Sequence, residues 1–367
     1  MVDLRVSNLA KLIVNYSLDL NKGDIFLISG NTIAEPLIKE VYKEALIKGA
    51  YPILKTEIDG MEELFYKYGN DEQMQFVNPA TILLMNTIDA YLSIRCQGNS
   101  RSLTNIDSHK KQIRGKAMKT VQKTYLDRLS NYSLKWCGTI FPSNAAAMDA
   151  DMSLTEYEDM FFNACFVSQN DYIKKWKHMH EKQNKLIDYL SQKSNITIQS
   201  EDTHLSLSVK GRKWINCDGK LNLPDGEIFT SPIENSLNGH IKFSFPAVFM
   251  GREVSDVDIT FENGKVIKCK ANKGQDYLEA MLDIDDGARY AGEFAIATNY
   301  NINKFTKNIS FDEKIGGTIH IALGSSLPMC GGKIISSIHW DMVCDMKKGG
   351  ELYADDELFY KNGKFII

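Results

Sequence analysis

The stretch from Asp24 to Ile58 does most to limit what this chain can fold into. It reads DIFLISGN, then PLIKEVYKEALIKGA, then YPILKTEI. The first segment is an apolar run closing on Gly30-Asn31, the second a helical pattern stopped at Gly49-Ala50, and the third a second strand-like run. Strand, helix, strand within about 30 residues is a βαβ unit, and two parallel strands can be joined only through such a crossover. The N-terminal part is therefore predicted to hold a parallel, Rossmann-like sheet. A helix precedes it, with Val6, Leu9, Leu12, Ile13, Tyr16 and Leu20 at helical spacing and Lys22-Gly23-Asp24 ending the pattern. The turn at Gly30-Asn31-Thr32 lacks the G-x-G-x-x-G and P-loop patterns and reads as a plain strand-to-helix connection, with nucleotide binding as the weaker reading. Beyond it, ATILLMNTIDAYLSIRCQ reads as another apolar strand and a further segment, and SHKKQIRGKAMKTVQKTY as a basic helix with a solvated face. Ser153 to Glu156 forms a capping box at the start of a later helix.

A chain of 367 residues is too long for one ordinary core, so two domains are expected. The pattern places a Rossmann-like α/β domain over residues 1–190 and a mixed, β-rich α+β catalytic domain over residues 191–367. The join is a long amphipathic helix in which Tyr172, Ile173, Trp176, Met179, Leu186, Ile187 and Leu190 make one stripe, interrupted where Gln183 falls on the same face. His178 and His180 lie there among lysines and read as surface residues. After the helix the texture changes to short β segments, including a hairpin around Asn263-Gly264 and a last one around Asn362-Gly363. His204 and His240 fall in this region and read as structural or exposed.

The balance of 43 basic against 47 acidic side chains, with no basic tail, argues against nucleic acid and anionic membrane as partners. Charges at Asp3, Arg5 and Lys11 break up the first segment, so it does not read as a signal peptide. No window approaches the roughly 18 apolar residues of a membrane span. The 7 cysteines are scattered with no C-x-x-C spacing, which points to free thiols. A cytoplasmic location is the expectation.

Chemistry concentrates between Ile309 and Met342. Two apolar segments, TIHIAL and IISSIHWDM, each enclose a histidine, and a buried imidazole needs a partner. Side chains alternate along a strand, so His339 and Asp341 share a face and offer a nitrogen and an oxygen together. Three glutamates of the same half sit where a side chain would be held in place: Glu227 in PDGEIFTSP, Glu293 after Gly292 in AGEFAIA, and Glu313 in FDEKIGG. Taken singly, each reads more readily as a solvated or salt-bridged residue than as a metal ligand. Together with His320, His339 and Asp341 they supply four carboxylates and two imidazoles, the ligand inventory of a two-metal hydrolytic site.

PDGEIFTSP, GARYAGEFAIATN, FDEKIGGTIHIALG and IHWDM, in this order, resemble the M29 family of metallo-aminopeptidases. The likeness extends to GRKWINCDGKLNLPDGE and TIFPSNAAAMDADMSLTEYED and covers nearly the whole chain. The resemblance implies that Glu227, Glu293, Glu313, His320, His339 and Asp341 hold two divalent ions, zinc or cobalt, with Glu293 bridging them. It implies a bridging hydroxide that attacks peptides with a free N-terminus, Glu293 or Glu313 carrying the proton, and a homodimer. Two departures stand out. Leu327 occupies the position seven residues after His320 where the family often has a tyrosine, and Glu313 lies farther from His320 than its family counterpart does. A hydrolase of another amide, or a catalytically altered metal- or peptide-binding protein, stays open beside the aminopeptidase reading. Arg212, in GRKW, reads as a structural salt bridge more readily than as a substrate anchor.

Overall fold

The computed structural model describes residues 3–367. The chain divides into two compact units: the residues up to 173 together with 219–224, and residues 174–218 together with 225–367. Composition suggested a join after residue 190, whereas the division falls at residue 173. The cause is the helix Tyr172–Leu190, whose Leu186 and Leu190 pack into the core of the second unit with Ile196 and Ile198.

In the first unit five strands run parallel in the order Tyr51–Glu57, Ile25–Asn31, Ala90–Arg95, Lys135–Ile140, Asn222–Leu223. The crossover helix Glu35–Lys48 starts with proline in its first turn and ends where Gly49 takes a φ of 84°, a left-handed stop that favours glycine. Asn31 caps the short turn before that helix by accepting from the Ile33 N–H, as expected of a plain strand-to-helix connection. One expectation fails. The run beginning ATILLMN is a helix, Pro79–Thr87, and the strand is confined to Ala90–Arg95. A short run apolar on all sides fits either structure, and the start signal decides: Asn78 accepts from the Ala80 N–H and Pro79 presets the first turn. The basic helix Ser108–Ser130 buries Val121 and leaves most of its charges exposed, while half-buried Lys110, Arg114 and Arg128 donate to the backbone carbonyls of Tyr66, Gly69, Phe76 and Met85. No helix among the described residues is long and apolar enough to cross a membrane.

The second unit is built on antiparallel sheets. One has eight strands, running from Lys265–Lys270 through Asp258–Glu262, Asn238–Lys242, Thr203–Ser208, Asn195–Ser200, Glu351–Ala354 and Glu357–Lys361 to Lys364–Phe365. Both predicted hairpins are present in it, with φ of 48° and 82° at Asn263-Gly264 and 49° and 77° at Asn362-Gly363. Positive φ at both turn residues is what a two-residue hairpin matched to the strand twist requires. His204 and His240 are exposed cross-strand neighbours here.

The other principal sheet has five strands in the order His339–Asp345, Thr318–Gly324, Ala291–Ala297, Glu227–Thr230, Ile215–Cys217. Ile228, Phe294, Ile296, Ile319, Ile321, Trp340 and Met342 turn one of its faces into the main core. The next residue along each strand points the other way. That second face is where the chemistry-bearing side chains gather.

Candidate metal centre

Register across this sheet assembles the site. Glu293 stands opposite Ala322, which stands opposite Asp341. His320 is paired with Ala295, and Glu227 with Ala297. Directly paired residues share a face, so the alanines between the polar side chains leave open volume where larger residues would fill the centre.

Glu293 owes its direction to an irregularity. Ala291 pairs with Leu323 and Glu293 with Ala322, so Gly292 is an extra residue on its strand. A one-residue bulge reverses which face the following side chains take. Ala291 faces the core with Leu323, whereas Glu293 is turned to the ligand face. A Cβ on Gly292 would come within 2.1 Å of the Ser325 carbonyl oxygen, so the bulge has room only for glycine.

The six expected side chains come together. Glu293 Oε2 lies 3.1 Å from His339 Nε2 and Oε1 lies 3.4 Å from His320 Nε2. Asp341 Oδ1 is 3.5 Å from His339 Nε2 and 3.9 Å from His320 Nε2, and Glu227 Oε2 is 3.7 Å from His320 Nε2. The Nδ1 atoms face backbone carbonyls, His320 toward Glu313 at 3.2 Å and His339 toward Ser325 at 2.8 Å. An Nδ1–H donated to each carbonyl aims Nε2 inward, as metal-ligating histidines require. Glu313, at the end of the short helix Ile309–Asp312, joins His320 and Asp341 in one group, and Glu293, His339 and Asp341 form another. Ligand atoms within each group lie within 4.8 Å of one another, and Asp341 belongs to both.

Other residues shape the site without having been expected to. Lys314 is buried, contacts Glu313, and places Nζ 3.3 Å from Glu227 Oε1. A third acidic group, Cys217, Asp225 and Glu227, borders the same ammonium. The only sign of Lys314 in the sequence is its adjacency to Glu313. Gln183 is buried, and its Nε2 donates to the carbonyls of Cys217 (3.1 Å) and Glu227 (3.0 Å) and to Thr298 Oγ1 (2.9 Å). Its break in an apolar stripe was the legible signal. Arg212 pairs with Glu234 at 2.7 Å, a structural salt bridge as expected. His178 is exposed, and half-buried His180 pairs with Asp218 at 2.7 Å.

Electrostatics follow from burying so much charge. Burial pushes Glu227 up to about 8, against the pull of Lys314 and His320. Burial also raises Glu313. It opposes ionisation of Glu293 too, but hydrogen bonds with His320 and His339 outweigh it and hold that carboxyl below its ordinary value. Asp341 is buried as well, yet the His339 contact and charge bring it down to about 2. Burial disfavours charged imidazole, but the surrounding carboxylates win and raise His320 to about 10 and His339 to about 11. Lys314, opposed by burial, is held well above its usual value by Glu227 and Glu313.

The donor set fits divalent ions. Two inward Nε2 atoms and four carboxylates form a mixed N/O environment suited to transition metals. Glu227 Oε2 is buried with no hydrogen-bond partner, an acceptor that a cation would satisfy.

Comparison with known proteins places the chain in a family. Residues 2–365 match the family described as thermophilic metalloprotease (M29). Aminopeptidase AmpS of Bacillus subtilis is 24% identical over 364 residues, covering 90% of this chain and 87% of that protein. Aminopeptidase 2 of Geobacillus stearothermophilus is 24% identical over 352 residues, covering 87% and 83%. Aminopeptidase T of Thermus thermophilus is 24% identical over 351 residues, covering 88% and 84%. Among solved structures, wild-type AmpT from Thermus thermophilus shares the fold with a TM-score of 0.86 over 99% of each chain, at 19% identity.

Proposed function

The chain belongs to the M29 family of thermophilic metalloproteases, and on that footing we propose that it is an aminopeptidase releasing the N-terminal residue of peptides. Its two divalent ions, zinc or cobalt, are held by Glu227, Glu293, Glu313, His320, His339 and Asp341. The observation that carries this reading is the convergence of these six side chains on one face of one sheet, in two ligand groups that share Asp341. Glu293 would hold the ions from between the two histidines, since each of its oxygens faces a different one. When bound, such a pair of ions supplies Lewis acidity that activates water and polarises the scissile carbonyl.

The chain's own side chains do the remaining work. A carboxylate beside the attacking water would take its proton and return it to the leaving amine, and either Glu293 or Glu313 is proposed for this. The backbone carbonyls of Glu313 and Ser325 fix the two imidazoles, so ligand geometry is set before substrate arrives.

A cytoplasmic enzyme is supported by the free cysteines, several of them buried as thiols. A homodimer is supported by the helix Met61–Tyr68, which buries no residue although Met61, Leu64, Phe65 and Tyr68 form an apolar stripe.

The test compares a peptide with a free N-terminus and its N-acetylated counterpart. Cleavage of the first alone, abolished by a chelator and restored by zinc or cobalt, is the expected result. Equal cleavage of both would point to a hydrolase of another amide, and tight metal binding without turnover to a binding protein.

A further inference from the structure

The sheet that carries the ligands has a second, apolar district on the same face. Ile215 stands opposite Phe229, Phe229 opposite Ala295, and Ala295 opposite His320. Residues paired this way share a face, so the row runs directly up to the imidazole. Phe229 and Ala295 pack with Cys217, Cys330, Ile215 and Leu327 in a cluster separate from the main core. That core lies behind the sheet with Ile228, Phe294 and Ile296, so these side chains are not needed to fill it. Ile215 and Leu327 are only partly buried.

Leu327 is held over this row by a fixed loop. Its N–H donates to Ser231 Oγ at 3.1 Å, and a Cβ on Gly332 would meet Ser326 Cβ at 2.4 Å. Farther along, Glu234 accepts from the Lys333 N–H at 3.0 Å while paired with Arg212. The loop therefore presents an apolar side chain at a set place beside the ligands.

We propose that Ile215 and Leu327, backed by the buried Phe229 and Ala295, seat the side chain of the substrate's first residue, so that the enzyme selects peptides beginning with a large apolar residue. The proposal rests on the aminopeptidase reading, which puts the scissile carbonyl at the ligand cluster and the first side chain one carbon away. Adjacent strands are about 4.8 Å apart, so Phe229, two strands from His320, lies roughly 10 Å away, within the span of one residue and its side chain. An acidic first residue would bury its carboxylate in an apolar seat, and a basic one would leave its ammonium without water.

The test is a panel of aminoacyl amides with Leu, Phe, Ala, Asp or Lys in first position, hydrolysed by the metal-loaded wild type and by Leu327→Ala. In the wild type, kcat/KM for Leu and Phe should exceed that for Asp and Lys by about tenfold or more, the discrimination available to a hydrophobic pocket. In Leu327→Ala the Leu-over-Ala ratio should fall about tenfold, a readout that general loosening of the fold does not move. Phe229→Leu, which keeps an apolar side chain in the row, should alter the Phe-over-Leu ratio and retain rejection of Asp. A wild type that cleaves Asp or Lys substrates as well as Leu, or a Leu327→Ala ratio equal to wild type, overturns the proposal while leaving the aminopeptidase reading intact. Hydrolysis of none of the panel overturns both.

Discussion

Gly292 lies so close against Ser325 that a Cβ added to it would sit 2.1 Å from the Ser325 carbonyl oxygen. This contact is where the strand Ala291–Ala297 takes its extra residue, and it is why Glu293 faces the site and not the core. Gly292→Ala must push the strand away or remove the bulge, and either change misdirects Glu293. The variant is predicted to lose about 1–3 kcal/mol of stability and to bind zinc at least about tenfold more weakly, read by denaturant unfolding and by calorimetric titration. Wild-type metal affinity in a folded Gly292→Ala variant would contradict the role given to the bulge.

The site's proton balance predicts how metal binding depends on pH. His320 and His339, raised to about 10 and about 11, and Glu227, raised to about 8, all hold protons more tightly in the folded chain than in the unfolded one. A raised folded-state value contributes stability that is fully present below the unfolded value and is lost as pH rises through the folded one. Without bound metal, stability should therefore decline as pH rises, through Glu227 between about 4.5 and 8 and through the histidines from about 6.5 to about 11. Metal must displace these protons, so binding should release protons and tighten with rising pH through neutrality. Titrations in buffers of different ionisation enthalpy measure the proton release, and binding without it would contradict this account.

Lys314 is the counter-ion on the Glu227 and Glu313 side of the cluster. Lys314→Met leaves two buried carboxylates without it, and removing one partner of a buried pair costs about 3–5 kcal/mol. Added zinc should restore part of that loss, because a cation that binds only the folded chain stabilises it. Denaturation midpoints with and without zinc measure both effects. Equal loss in both conditions would mean that Lys314 acts apart from the metal site.

Gln183 ties three acceptors of the second unit together through one amide. Gln183→Leu fills similar space but leaves the Cys217 and Glu227 carbonyls and Thr298 Oγ1 without that donor, at a cost of about 1–3 kcal/mol. Urea denaturation should show the midpoint moving down with the slope unchanged. An unshifted midpoint would show that these acceptors find other partners.

The candidate site was more legible in the sequence than the fold details around it. His320 and His339 announced themselves because imidazole in an apolar run is costly without a partner, and Glu293 because a carboxylate in AGEFAIA is costlier still. The parallel order of the first sheet followed from one strand-helix-strand unit. The run ATILLMN misled, because an apolar segment without alternation fits strand and helix alike, and only the Asn78-Pro79 start resolves it. Lys314 and the Gly292 bulge were hidden for a different reason. Their roles depend on which residues stand opposite them, and pairing partners far apart in sequence are not written in local pattern. Gln183 lay between these cases, visible as a flaw in a stripe but without its acceptors.

The central claim is a two-metal centre built from these six side chains, and elemental analysis of metal-loaded, desalted protein tests it most directly. Wild type and the His320→Ala/His339→Ala double variant should be measured side by side. The account predicts about two zinc or cobalt ions per wild-type chain and near-complete loss in the double variant. A double variant that retains the wild-type metal content would contradict it.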